Sequence, residues 1–368
     1  MKKKKGDELL QAKIDTAIMR IVELYEETEG KCVLSFSGGK DSTVLAELYL
    51  MAKEQGKVGT IPIVFADTQV EYDAIYDFVE WFGKEKQEVV FLKPRKSFVR
   101  VLKEYGKPII SKSTSLALNT YQNVLNRGED PLKYTLSFRI ITGQQFDNEK
   151  KEARRDKNGK VMPHKARLAD KHFHLLHPNN EHRYSRQCCV YLKKYPFYDY
   201  YSEHGVKGYF TGMRNEEGGA RSMSFASCKQ EIKLKGKMIQ HVMPMFYWSD
   251  EDVNEFVKTY NIKLSDAYTK YGLKRTGCIG CPYAKDISVV LRVLYDYEPN
   301  KYKAVMKLLS DIYLEQNVQI PFDVEYTEKL VKRQKIIDKR RYEMLLKYRP
   351  EVAHKWKPKK DLFDIGDE

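Results

Sequence analysis

The 368-residue chain has no run approaching the ~20 apolar residues of a membrane-spanning helix, which excludes such helices and a membrane partner. The N-terminus, Met1-Lys2-Lys3-Lys4-Lys5-Gly6, is basic, but no apolar segment follows it, so a secretory signal is not expected. With 21 Gly and 13 Pro the chain is too poor in both for a fibrous or low-complexity protein, and 42% hydrophobic residues are too many for a disordered one. No internal repeat is present. Cysteine is scarce, at six, and in a cytosolic chain these residues read as metal ligands, thiol nucleophiles or core rather than disulfides. What remains is a cytoplasmic globular protein, long enough for one large α/β domain with insertions or for two domains.

Acidic residues are also in deficit. The 65 Lys+Arg exceed the 51 Asp+Glu by 14, and two stretches carry the excess. From Lys150 to Lys194 there are 13 basic and 4 acidic residues; from Lys329 to Lys360 there are 13 and 3. Such fields attract nucleic acids or nucleotides, although a solvated Lys-rich surface has the same composition. Five of the eight histidines fall between His164 and His182, a dispersed pattern that reads as loop surface rather than a metal site.

Hydrophobic periodicity predicts an amphipathic helix over 7–27 and a buried strand at Cys32–Phe36. A helix over 42–53, a strand at 61–66, a helix over 71–84 and a strand at 88–92 then alternate. Strands alternating with helices of this length predict parallel βαβ units, hence an α/β fold with a doubly wound, mostly parallel sheet. The alternation breaks at about 107–187 and resumes with a strand at 206–212. Ser249-Asp250-Glu251-Asp252 predicts a capped helix start, and after Pro282 the chain reads as helices. The expected organisation is a domain over 1–290, with an insertion at about 107–187, and a basic helical region over 291–368.

The strongest local signal is Ser35-Phe36-Ser37-Gly38-Gly39-Lys40-Asp41-Ser42, between the first strand and its helix. Two glycines let consecutive amides turn toward an anion, the Ser37 and Ser42 hydroxyls add donors, and the helix N-terminus adds partial positive charge. It is not a Walker A loop, because G-x-x-x-x-G-K-[ST] is absent. It has instead the S-G-G-x-D-S pattern of a PP-loop, which grips the pyrophosphate part of an adenine nucleotide, with Asp41 holding Mg²⁺ or orienting phosphates. Asp67 and Thr68 end the next strand, where ligands of open α/β sheets bind. A third loop, Thr211 to Arg221, carries Arg214, Glu217 and Arg221; arginine forks suit phosphate oxygens, and Glu217 can hold an arginine or serve a metal. Lys112 and Lys193 are further candidates for anion contact.

Cys188-Cys189 and Cys278-Ile279-Gly280-Cys281 bring four thiols from two short segments, a set able to hold zinc or an iron–sulfur cluster. Zinc sites usually space their ligand pairs by two to four residues. A cubane offers separate iron corners to adjacent cysteines, so a 4Fe–4S cluster is preferred over zinc.

Taken in order, the PP-loop, D-T-x-x-E, C-C-x-x-L-K-K, G-M-R-x-E-E-x-x-x-R and C-x-x-C resemble the phosphoadenylyl-sulfate (PAPS) reductase family of the adenine-nucleotide α-hydrolase superfamily. Pro108–Lys112 and Pro244–Val253 look like further segments of it. The pattern is similar to PAPS-reductase-like proteins of phages and mobile elements and to ATP pyrophosphatases of DNA phosphorothioation. The resemblance implies binding of ATP, or of PAPS or adenylyl sulfate, with Ser35, Ser37–Ser42, Asp67 and Thr68 around the nucleotide. It implies Asp41, Arg214, Glu217 and Arg221 at the reacting phosphate, and a 4Fe–4S cluster on the four cysteines. Reductases of the family use a cysteine in a C-terminal E-C-G-L-H-like segment, and no cysteine follows Cys281. The expected activity is therefore ATP-dependent adenylylation with pyrophosphate release, in sulfur transfer to a DNA, tRNA or small-molecule acceptor. A cysteine desulfurase or another donor would supply the sulfur. A PAPS or adenylyl-sulfate reductase, with Cys228 as a substitute thiol, and a non-catalytic nucleotide-sensing regulator are the alternatives. The basic C-terminal stretch, with Tyr342, Tyr348 and Trp356 among its cations, would suit a polyanion or a protein partner.

Overall fold

The computed structural model describes residues 2–217, 227–234 and 236–357, the side chains of 2–8 and of Glu217 excepted. The chain divides into two compact units, each made of two segments: Met1–Ser97 with Tyr191–Cys278, and Phe98–Val190 with Ile279–Glu368.

In chain order the strands are β1 (Cys32–Phe36), β2 (Ile63–Ala66), β3 (Val89–Leu92), the two-residue strands β4 (Phe146–Asp147) and β5 (Glu152–Ala153), β6 (Gly208–Phe210), β7 (Lys229–Leu234) and β8 (Lys237–Val242). Six of them form the sheet of the first unit in the order β3-β2-β1-β6-β8-β7, parallel throughout except for β7 against β8. Helices α1 (Lys2–Glu27), α2 (Lys40–Glu54) and α3 (Asp73–Glu85) alternate with β1 to β3.

β1 is a near-continuous buried run because both faces of a central parallel strand are covered. Phe36 packs on Phe82 of α3, with ring centroids 4.8 Å apart. Val33, one step out of phase, shares a core with Val64, Leu92 and Tyr201 of the helix Tyr195–Glu203. The chain steps from β1 to β2 and β3 on one side and returns through β6 on the other. The strand order therefore reverses at the β1/β6 boundary, the crevice where doubly wound sheets bind their ligands.

The predicted α/β alternation is observed, with strand ends shorter by one or two residues, as pairing frays at loops. The β7–β8 hairpin was not legible. In β7 only Ile232 and Leu234 are apolar, since an edge strand has one solvated face. The helix Asp250–Thr259 begins as the sequence predicts: Ser249 Oγ accepts the Asp252 amide at 3.1 Å and the Asp252 carboxylate accepts the Ser249 amide at 2.6 Å.

The second unit is helical around a core that includes Ile109, Leu118, Tyr121, Phe173, Ile312 and Leu345. The helices Pro299–Glu315 and Val324–Tyr348 belong to it. His174, read from sequence as loop surface, is an interior group: it is 2% exposed and its Nε2 lies 2.9 Å from the Glu315 carbonyl oxygen.

Several cations of the C-terminal basic stretch also turn inward. Arg333 binds the Glu315 carboxylate through Nε at 2.8 Å. Arg341 donates to the Lys171 carbonyl at 3.0 Å and sits over the Trp356 ring. Arg349, 3% exposed, donates to the carbonyls of Ile141, Leu168 and Ile140 at 2.7, 3.0 and 3.2 Å and lies over Phe173. Tyr342, Tyr348 and Trp356 pack against the core. Three of the thirteen cations of this stretch thus help to hold the unit together.

Candidate nucleotide site and cysteine cluster

The loop Ser37–Lys40 joins β1 to α2, and Gly38 sits at φ +65, which a side chain adopts only with strain. Ser42 Oγ donates to the Gly39 carbonyl at 2.8 Å, accepts the Ser37 amide at 3.2 Å and lies 3.0 Å from Ser37 Oγ. The Gly39 amide meets Ser37 Oγ at 3.3 Å, and the Lys40 amide meets the Tyr268 hydroxyl at 3.0 Å. Tyr268 is steadied in turn by Thr276 Oγ1, 2.9 Å away. Successive loop amides thus converge on oxygen acceptors at the positive end of a 15-residue helix, the arrangement that receives phosphate oxygens. Lys40 points its Nζ to Asn254 Oδ1 at 2.8 Å.

The β6 loop closes onto this turn. A Cβ on Gly212 would stand 2.7 Å from the Asp41 carbonyl oxygen, so glycine is what allows the two backbones to meet. That approach brings Arg214 to Asp41, with Nε 3.1 Å from Oδ1. Arg214 is 3% exposed; its Nη2 binds Asp250, and Nη1 donates to the Trp248 carbonyl at 3.3 Å. Burial opposes the charge, but the hydrogen bond that Arg214 donates to Asp250 and the nearby Asp41 outweigh it and hold the guanidinium protonated. The bond from Arg214 in turn keeps the Asp250 carboxyl below the usual carboxylate range.

At the end of β2, Asp67 Oδ1 accepts the Tyr76 hydroxyl at 2.8 Å and the Gln69 amide at 3.2 Å. Thr68 is buried and donates to Glu71 Oε1 at 3.0 Å. Glu71, 6% exposed, also holds Lys193 Nζ at 3.2 Å, and Cys278 Sγ approaches the same oxygen at 3.9 Å. Ser35 lies within β1 and its Oγ is 3.2 Å from the Tyr201 hydroxyl, on the face covered by the helix Tyr195–Glu203. Asn215–Glu217 form a short 3₁₀ turn, and Arg221 lies outside the described residues.

The fold therefore brings Asp41 and Arg214 together, and sets Asp67 and Thr68 at the end of the neighbouring strand. Asp250 was legible only as a helix-start acid, whereas its carboxylate secures Arg214. Tyr268 and Asn254 gave no sequence signal, because nothing local relates them to the glycine loop.

All six cysteines are outside disulfides. In the second unit Cys188, Cys189 and Cys281 lie near enough to Tyr283 for their charge to act on its hydroxyl, whose pKa rises mainly through burial. Cys278 closes the first unit beside Glu71. The thiols have the donor chemistry of an iron–sulfur or zinc ligand set. Among the described residues, however, no group of three or more His, Cys, Asp or Glu is arranged to hold a metal ion.

A mostly parallel α/β sheet with a glycine-turned loop at its switch point is an architecture of the PP-loop type. Its family model, the phosphoadenosine phosphosulfate reductase domain, matches residues 31–127 and 139–284, and the chain belongs to that family. No curated protein matches it. Similar solved structures include PAPS reductase from Candida auris in a phosphate complex, with 13% identity, TM-score 0.40, and 74% of this chain and 93% of that one covered. FMN adenylyltransferase from Candida glabrata in complex with ATP has 13% identity and TM-score 0.41, covering 74% of this chain and 62% of that one. The U34-tRNA thiolase of Methanococcus maripaludis with its 4Fe-4S cluster has 13% identity and TM-score 0.29, covering 78% and 72%. No described helix is long and apolar enough to cross a membrane.

Proposed function

We propose that the protein is an ATP-dependent enzyme that adenylylates an acceptor and passes it to a sulfur nucleophile. An acceptor oxygen attacks the α-phosphorus of ATP-Mg²⁺, the bond to the β-phosphate oxygen breaks, and pyrophosphate leaves. A sulfur nucleophile from a cysteine desulfurase or other donor then displaces AMP. The observation that carries this reading is that the Gly39 and Lys40 amides and the Arg214-braced Asp41 stand together at the sheet's switch point. Ser37, Gly38, Gly39, Lys40 and Ser42 would hold the β- and γ-phosphates, and Asp67 and Thr68 the nucleoside side. Arg214 keeps Asp41 fixed and, with Arg221, would neutralise the charge developing at the α-phosphate, where preorganised groups are most effective, while Glu217 would hold an arginine in place or serve a metal.

A 4Fe–4S cluster on Cys188, Cys189, Cys278 and Cys281 would supply a site for binding and activating sulfur. DNA or tRNA is the acceptor class that the charge of the chain supports. Anaerobically purified protein given ATP, a sulfur donor and nucleic acid should form AMP and pyrophosphate, and its metal should be iron. Sulfite released from PAPS with thioredoxin would instead establish a reductase. Tight ATP binding with no product would establish a regulator, and stoichiometric zinc would remove the cluster.

A further inference from the structure

In the second unit, residues 143–164 fold into a small antiparallel ribbon. Phe146 lies opposite Ala153 in the β4–β5 pair, and Gln144 and Arg155 bridge to Pro163 and Val161. Backbone bonds of 2.8 to 2.9 Å link Gln145, Arg154 and Met162 across the ribbon. Both turns are locked by aspartates. Asp147 Oδ1 accepts the Glu149 and Lys150 amides at 3.0 Å each, and Asp156 Oδ1 accepts those of Asn158 and Lys160 at 2.8 and 3.0 Å. Arg155 Nη1 adds a bond to the Gly159 carbonyl at 2.8 Å. The ribbon is a pre-ordered element.

Its surface is cationic without being paired. Lys150, Lys151, Arg154, Lys157, Lys160 and Lys165 are all exposed. Flanking Arg127 and Arg167 hold Glu129 and Asp170, but none of these six has a carboxylate within ion-pair distance among the described residues. Residues 143–167 contain eight basic and four acidic residues. In the C-terminal stretch Arg333, Arg341 and Arg349 are engaged internally, and Lys332 and Lys335 are exposed on a long helix, with no turn that projects them as a hairpin.

The chemistry of the partner follows from what the ribbon lacks. Between Val99 and Tyr195 no large apolar side chain is exposed among the described residues. A protein interface needs an apolar or aromatic core; a phosphodiester backbone needs only spaced, unpaired cations. Three short segments bond to one another in the ribbon, and at its tip two of them pair about the Asp156 turn, Arg155 opposite Val161; a two-stranded hairpin of this kind fits the major groove of B-form DNA, whereas that of A-form RNA is too narrow to admit it. We propose that the ribbon 143–164 is a docking element for duplex DNA, gripping phosphates through five of its exposed cations and the adjoining Lys165. The inference does not require catalysis, because it concerns binding in the absence of ATP.

The test is fluorescence anisotropy of the full chain with a labelled DNA duplex, titrated over roughly 50–200 mM salt. Binding should weaken steeply with salt. In the variant Lys151→Glu/Lys157→Glu/Lys160→Glu affinity should fall at least ~10-fold, and the log–log salt slope should drop by about 3, near 0.9 per lost phosphate contact. These residues are exposed, so the melting temperature and ATP-analogue binding of the variant should match the parent, which separates this test from that of the nucleotide site. Lys332→Glu/Lys335→Glu, in the C-terminal stretch, should change little. Parent-like duplex binding by the ribbon variant would overturn the proposal. So would no binding by the parent, or a preference for folded RNA or an acidic polypeptide over the duplex.

Discussion

The Tyr268 hydroxyl oxygen lies 3.0 Å from the Lys40 amide nitrogen, where it accepts a hydrogen bond from the glycine loop itself. The side chain is half-buried, and loss of water around it raises its pKa, so the hydroxyl stays neutral. It occupies an amide that the proposed nucleotide would use.

Tyr268→Phe removes that internal acceptor. A non-hydrolysable ATP analogue should then bind about 3- to 10-fold tighter by calorimetry, near the net worth of one hydrogen bond. Unchanged or weaker binding would mean the hydroxyl supports the bound nucleotide instead of competing with it.

Arg214→Met leaves Asp41 and Asp250 without their shared cation. Removing one partner of a buried pair costs about 3–5 kcal/mol, and less here because both carboxylates reach solvent; about 2 kcal/mol is expected from urea unfolding. Combined with Asp41→Asn, the losses should not add, with a coupling of about 1–2 kcal/mol. Strict additivity would rule out the pairing as a working unit. Nucleotide binding should weaken in both single variants.

Two buried histidines set an acid limit. Burial, with His172 nearby, pushes the His174 imidazole down to about 3, and burial pushes His241 down to about 4. Both folded values lie below the unfolded value near 6.5, so the unfolded chain binds more protons as pH falls. Their contribution is complete above about pH 6.5 and is lost below it, by up to ~1.4 kcal/mol per pH unit for each histidine. Urea midpoints should drop from pH 7 to pH 5, and His174→Gln or His241→Gln should flatten that slope even if less stable at pH 7. An unaltered slope in both variants would contradict this assignment. Asp250 adds its own loss in a separate window, below the usual carboxylate range.

Arg349 and Lys332 come from the same basic stretch and should behave in opposite ways. Arg349→Leu strands three carbonyls and Asp170 in the second unit and should cost about 3 kcal/mol or more. Lys332 is exposed, and Lys332→Ala should stay within about 0.5 kcal/mol. Equal effects would place Arg349 on the surface.

These contrasts mark what was legible beforehand. The order of β1, α2, β2, α3 and β3 follows from period and turn chemistry, which act between residues close in sequence. The anion loop was legible for the same reason: Ser37, Gly39 and Ser42 make their bonds within six residues of one another. The edge strand β7 was hidden because Ile232 and Leu234 alone, two apolar residues in six, are too few to establish its alternation.

Sequence alone determined the α/β class, the glycine loop and the four thiols. Each is a local pattern whose physics is backbone conformation or ligand spacing. Tertiary structure decided which charges are functional surface and which are structural, because burial and pairing depend on residues far away in the chain. Arg214 meets Asp41 across 173 positions, and Arg349 meets Ile141 across 208. It also sorted the cationic surplus, since Arg333, Arg341 and Arg349 are turned inward while the cations of the ribbon face solvent.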